Sequence, residues 1–145
     1  MSRHVSTLFC DDVRNEVGNK QSFIGVYRGS LYVQNFPAIL PRLCIVITIE
    51  TPTNEPFKSL LFKILQDDKV VVESPVPDHI LESQKNITDA SGANDKMMVY
   101  STVVVLSPLV LEGAVRLRVR VLADGRELKG LGLKIDRAPA EAVAA

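Results

Sequence analysis

Between residues 114 and 136, apolar and charged side chains alternate so regularly that both faces of a β-hairpin can be assigned. Val115, Leu117, Val119 and Val121 are interleaved with Arg116, Arg118 and Arg120, the period-two pattern of a strand buried on one side. Asp124-Gly125 supplies the turn, because a two-residue type I′ loop needs positive φ at both positions and this dipeptide tolerates it. Pairing outward sets Ala123 opposite Arg126, Leu122 opposite Glu127, Val121 opposite Leu128 and Arg120 opposite Lys129. Beyond that point strict pairing fails, since Leu131, Leu133 and Ile135 would fall opposite the arginines. One extra residue at Gly130 restores an apolar face, and a bulge of the G1 type favours glycine there. Val119 then meets Leu131, Leu117 meets Leu133 and Val115 meets Ile135. The other face carries Arg116, Arg118, Arg120, Lys129 and Lys134, with Glu127 and Leu122 near the turn. Directly opposed like charges, such as Arg120 and Lys129, are destabilising, so acidic side chains are expected to offset them.

Similar signals recur upstream. Residues 4–10 form a short apolar run and residues 21–33 a longer one, in which Gly25 and Gly29 suggest a bend or bulge; Gly18-Asn19 marks a turn between them. Leu43, Ile45, Ile47 and Ile49 alternate with Cys44 and Val46, which predicts a central strand covered on both sides. Residues 51–56 read as a loop, followed by a second hairpin: strand 57–65, a Gln66-Asp67-Asp68-Lys69 turn, and strand 70–73. Pro75 and Pro77 end it, because proline cannot donate to a ladder. Residues 77–96 are polar and read as a long loop in which only 78–84 could be helical. Residues 97–106 add another strand. About eight strands at short spacing predict an all-β fold, an antiparallel two-sheet β-sandwich of immunoglobulin-like or C2-like type. The single domain spans residues 1–136, and residues 137–145 make a flexible tail.

Composition narrows the function classes. The chain has 145 residues, enough for one domain with its own core. Its 17 basic and 17 acidic residues cancel, which argues against a general nucleic-acid binder, whose domain would be basic overall. The first twelve residues lack the apolar core and cleavage site of a secretory signal, and no apolar run approaches the roughly 18–20 residues that span a bilayer. A cytoplasmic protein is expected, with Cys10 and Cys44 as buried thiols, though a disulfide between them stays open. The Asn86-Ile87-Thr88 sequon matters only in a secreted chain.

The opening Phe9-Cys10-Asp11-Asp12-Val13-Arg14, then Glu16, Gly18, Lys20, Ser22 and Gly25-Val26-Tyr27, resembles a family of small bacterial proteins carrying a domain of unknown function. The resemblance extends to Phe36-Pro37 and to the stretch from Glu112-Gly113 to Asp124-Gly125. It implies a bacterial or phage source and a single domain, and it carries no activity. Residues 111–119 with Asp124-Gly125 also look like the late strands of immunoglobulin-like and fibronectin-like sandwiches. The absence of tryptophan and of a suitable cysteine pair argues against an antibody-type domain.

Candidate chemistry is sparse. Asp11, Asp12 and Glu16, and separately Asp67-Asp68, could chelate calcium if they sat in loops at one end of a sandwich, but turn-forming aspartates explain them equally well. Cys10 or Cys44 with His79 could make a thiol dyad, yet neither cysteine stands in a catalytic context and a packed thiol is inert. Gly130-Leu131-Gly132 lies inside a strand and is no phosphate loop. The sharpest candidate is the face of Arg116, Arg118, Arg120, Lys129 and Lys134, since arginines two apart on a strand project together toward an acidic partner. A solvated face that discourages edge pairing is the competing explanation. The expectation is a non-catalytic interaction or structural module with no cofactor, acting on a protein partner. It includes self-association as a homodimer through the free edge of the last hairpin or apolar surface around Leu109, Val110 and Leu111. Nucleic acid and membrane are not expected partners. A ligand-binding module for calcium, carbohydrate or an anionic polymer is the alternative.

Overall fold

The computed structural model describes residues 3–90 and 97–139, and among these the chain forms twelve strands and one helix. The expectation of about eight strands missed the short ones. In chain order they are β1 (His4–Glu16), β2 (Lys20–Tyr27), β3 (Ser30–Val33), β4 (Ala38–Leu40), β5 (Leu43–Pro52), β6 (Leu60–Gln66), β7 (Lys69–Pro75), α1 (Asp78–Ala90), β8 (Met97–Leu106), β9 (Leu109–Leu111), β10 (Val115–Ala123), β11 (Arg126–Lys129) and β12 (Leu133–Arg137). One sheet runs β2-β1-β5-β8; a second runs β3-β12-β10-β6-β7 with β11 also on β10; β4 and β9 form a separate ribbon. All neighbours are antiparallel except β12 and β3, which run parallel.

The apolar faces of the two larger sheets supply one core. Phe9, Ile45, Ile47 and Ile49 come from the first, and Leu31, Phe62, Ile64, Leu117, Val119, Val121, Leu133 and Ile135 from the second. Phe62 of β6 stacks on Tyr100 of β8, ring centroids 5.8 Å apart, an inter-sheet contact. As the alternation of its residues predicts, β5 is central, between β1 and β8, and its residues from Leu43 to Ile47 are buried on both faces. Helix α1 is longer than residues 78–84, and its Leu81 enters the core. It follows β7 in the chain, and its Gln84 side chain donates to the Val99 carbonyl of β8. None of the described helices is long and apolar enough to cross a membrane.

The C-terminal hairpin has the predicted register. Ala123 pairs with Arg126 across Asp124-Gly125, whose φ values of 52° and 81° are both positive as a type I′ turn requires. Arg120 lies opposite Lys129, whereas Leu117 lies opposite Leu133 and Val115 opposite Ile135, so one residue is inserted between these stretches. Gly130 does not have the positive φ of a G1 bulge. Its role is steric: a Cβ there would stand 2.5 Å from Cγ2 of Thr7 on β1, and one at Gly132 would stand 2.4 Å from the Leu117 carbonyl oxygen. Thr7 also donates its hydroxyl to the Leu131 carbonyl at 2.6 Å, so β1 closes directly onto the break. Leu131, expected against Val119, is instead 80% exposed, because the break turns it out of the ladder.

Other expectations need correction. The edge of the last hairpin is not free over β12, since β3 pairs with it from Ser30 opposite Lys134 to Val33 opposite Arg137. The Ala138 amide continues that contact to the Val33 carbonyl, so residue 137 belongs to the fold; the expected tail beyond residue 139 lies outside the described residues. Leu109 and Leu111 are buried beneath the β4–β9 ribbon, leaving only Val110 and its partner Ile39 outside.

Gly132→Ala meets backbone and is expected to destabilise by about 2–3 kcal/mol, more than Gly130→Ala at about 1–2 kcal/mol, since overpacking costs most where nothing can yield. Adding Thr7→Ser removes Cγ2 while keeping the hydroxyl, and should recover much of the Gly130→Ala loss but none of the Gly132→Ala loss. Urea denaturation of the four variants checks this ordering.

Candidate interaction face

Alternation along β10 places Arg116, Arg118 and Arg120 on the outer side of the second sheet, with Leu117, Val119 and Val121 inward. Cross-strand register brings Lys134 opposite Arg116, and both Lys129 and Lys63 opposite Arg120. All five predicted residues therefore share one face, and Lys63 of β6 joins them. Sequence reasoning missed Lys63 because β6 was not placed beside β10.

Acidic groups do offset this charge. Arg118 pairs with Asp68 at 3.5 Å, Arg120 with Glu127 at 3.8 Å, Lys63 with Glu73 at 3.5 Å and Lys134 with Asp136 at 3.9 Å. Each such surface pair contributes between zero and about 1 kcal/mol. The expected uniform row is thus uneven. The Arg120 side chain lies down on the sheet, only 17% exposed, and donates from Nη1 to the Val119 carbonyl at 2.9 Å. Arg116 and Lys129 are exposed and, among the described residues, make no ion pair. Leu61, Leu65 and Leu122 stand half-buried between the cations, and the aliphatic stems of Arg and Lys can cover such leucines.

The other candidate residues do not converge. Asp11 and Asp12 are successive residues of β1, so strand alternation sends them to opposite faces. The expected acidic loop is in fact a strand, and among the described residues no three His, Cys, Asp or Glu side chains group as a metal site would need. On the face of Phe9 but exposed, Asp11 accepts a hydrogen bond from the Tyr27 hydroxyl and lies over Gly25, where a Cβ would sit 2.2 Å from its Oδ2. Burial, then the hydrogen bond to Asp11 and its charge, push the Tyr27 hydroxyl up to about 12. On the outward side, Arg42 approaches Asp12 at 3.4 Å and donates to Cys44 Sγ at 3.5 Å.

Cys10 and Cys44 are opposite each other in the β1–β5 ladder, buried and free. Their thiols donate to the Asp12 carbonyl at 3.4 Å and the Asp11 carbonyl at 3.8 Å. Burial pushes the Cys10 thiol up, and the neighbouring Cys44 and Asp11 add to it, so Cys10 is a poor nucleophile. His79 lies on α1, and His4 is six residues along β1 from Cys10, roughly 20 Å at strand spacing.

A cleft of about 420 Å³ opens beside the Asp124-Gly125 turn, lined by Arg3, Glu55, Lys58, Asp124, Arg126 and Leu128 among others. Its centre is structural. Asp124 Oδ1 accepts the Lys58 and Ser59 amides, each at 2.8 Å, and Oδ2 pairs with Arg3 at 2.8 Å. Arg3 also donates to Thr51 Oγ1 and to the Glu55 carbonyl and lies 4.8 Å over the Phe57 ring. One turn aspartate thereby ties the start of β1, the 52–59 loop and the last hairpin together.

Fold and face together define an all-β domain with a cation-rich sheet surface. The chain belongs to a family of unknown function, DUF6941, which is matched over residues 5–136. No curated protein and no solved structure matches it.

Burial alone would raise the Asp124 carboxyl, but the Arg3 hydrogen bond, the Ser59 and Lys58 amides and the guanidinium charge outweigh it and hold the group below its ordinary value. A carboxylate depressed on folding contributes stability that is complete above its unfolded pKa of about 3.9 and is lost as pH falls through the folded value. Asp124→Asn keeps a residue that tolerates the turn but opposes the Arg3 donor with an NH2 group. It should cost about 1–2 kcal/mol at neutral pH, and the gap from wild type should close below the folded pKa. Urea titrations across the acid range measure that gap.

Proposed function

We propose that this domain is a two-sheet β-sandwich of immunoglobulin-like or C2-like type, working in the bacterial or phage cytoplasm as a non-catalytic interaction module that binds an acidic protein surface. Its binding face is the outer side of the β10 sheet: Arg116, Arg118, Lys129 and Lys134 make the contacts and Arg120 acts as a fixed positive centre. The supporting observation is the composition of that face, where six cations, counting Lys63, share a rigid sheet with three half-buried leucines. Arginine and apolar area together suit a protein interface. A nucleic-acid surface would be more polar and much more positive, and here four carboxylates lie among the cations.

Replacing Arg116, Arg118 and Arg120 together by serine tests the reading. These side chains lie outside the core, so the melting temperature should move by only a few degrees. Proteins captured from an extract of the source cells and identified by mass spectrometry should include acidic partners that the triple variant loses; an unchanged set removes the proposal. The second reading is a calcium-binding module using the exposed Asp68 turn. A ligand specific to the folded state must raise the melting temperature, so a flat response to millimolar calcium dismisses it.

A further inference from the structure

We propose that a second copy of this chain docks along β8, its own β8 running antiparallel to the first, so that the β2-β1-β5-β8 sheet continues across a twofold axis at Val103. This surface is on the other sheet from the basic face, and neither proposal depends on the other.

The argument starts from the edge itself. Among the described residues β8 pairs with β5 alone, which leaves a ten-residue edge, Met97–Leu106, without a charge, a proline or a glycine. Proteins protect free edges with such devices, and the other outer strands of the two large sheets have them. β7 carries Lys69, Glu73 and Pro75, β2 carries Lys20 and the left-handed Gly25, and β3 is only four residues long. Among the described residues the cover on β8 is at its start, where Gln84 of α1 donates its side-chain amide to the Val99 carbonyl.

That bond also shows which backbone groups are available. In an antiparallel strand, successive residues turn their N–H and C=O alternately toward and away from a given neighbour. Val99 turns its carbonyl to Gln84, away from β5, so Ser101, Val103 and Val105 turn theirs away as well. Among the described residues these three have no strand partner on that side, and their outward donors and acceptors form a template that an extended strand matches.

Symmetry and charge favour a second copy as that strand. With Val103 on the axis, Val103 of each copy faces its equivalent and Ser101 of one lies opposite Val105 of the other, so no like charges meet. The β5–β8 register puts Glu50 beside Val99 and, one step past Leu43 opposite Leu106, Arg42 beside Ser107. The twofold therefore sets the Arg42 end of one copy toward the Glu50 end of the other, three strand spacings or about 14 Å away, so that opposite and not like charges flank the seam on both sides. The apolar band on the outer side of this sheet, in which Val46 is buried, Leu8 and Val103 are half-buried and Val26 and Val105 are exposed, reaches the same edge, so joining two copies makes the band continuous.

Light scattering on the full chain at micromolar concentration should give twice the mass of one chain. Val103→Pro removes a central outward donor and should give the single mass. Val26→Lys, at the far side of the apolar band, should keep the double mass, because an edge pairing does not use it. A single mass for the wild type, a double mass for Val103→Pro, or loss of the double mass in Val26→Lys (the sign of face-to-face packing) overturns the proposal. Should Val103→Pro fail to fold, hydrogen exchange on the wild type decides: the Ser101, Val103 and Val105 amides must be protected at high concentration and lose that protection on dilution. Unprotected amides overturn it.

Discussion

Where Thr7 hydrogen-bonds to the Leu131 carbonyl, β1 of one large sheet meets the backbone of the other; the glycine at 130 leaves room for Thr7, and the glycine at 132 clears the Leu117 carbonyl of its own sheet. The break at this point splits the return of the last hairpin in two. Before it, β11 runs beside β10 in the register set by the turn; after it, β12 resumes one residue later, with Leu133 and Ile135 again facing the core. An unbroken return would have turned those side chains outward, because a one-residue slip inverts every position of a strand. The same slip keeps Lys134 on the outer side with Arg116, so the cation face rests on the glycine break.

What was legible in the sequence follows from this. The hairpin could be read because its two faces differ in both polarity and charge, and because Asp124-Gly125 admits few other turns. Gly130 could be located by the failure of strict pairing, but the reason for glycine could not, since Thr7 is distant in sequence and sterics across sheets leave no local pattern. β1 beyond Cys10 was hidden for a related reason: residues 11–16 pair only with β2, whose residues are almost all exposed, so no burial contrast marks them. The three-residue β4 and β9 are too short to show a period, and the parallel β3–β12 pairing depends on residues a hundred positions apart.

The residues behind the family resemblance become a local unit once β1 and β2 are paired. Phe9 stands opposite Tyr27, Cys10 opposite Val26 and Asp12 opposite Ile24. Asp11 occupies the space that only a glycine at 25 leaves open, and there receives the Tyr27 hydroxyl. Phe9, Cys10, Asp11, Gly25 and Tyr27 of the two motifs thus have a packing reason to be what they are, whereas Val26 is half exposed. A motif made of packing reasons points to a shared scaffold, and function has to be sought on surfaces the motif does not include.

On the cation face, the ion pairs limit how charge can act. Arg118, Arg120, Lys63 and Lys134 already have carboxylate neighbours, so an acidic partner exchanges one set of screened pairs for another and gains little net Coulomb energy. Charge on such a face steers approach and fixes orientation. Under the proposed function, affinity would come from area removed from water, which here means the three half-buried leucines and the arginine stems beside them. An interface of that kind depends on added salt mainly through its association rate, whereas one resting on phosphate contacts would lose equilibrium affinity steeply.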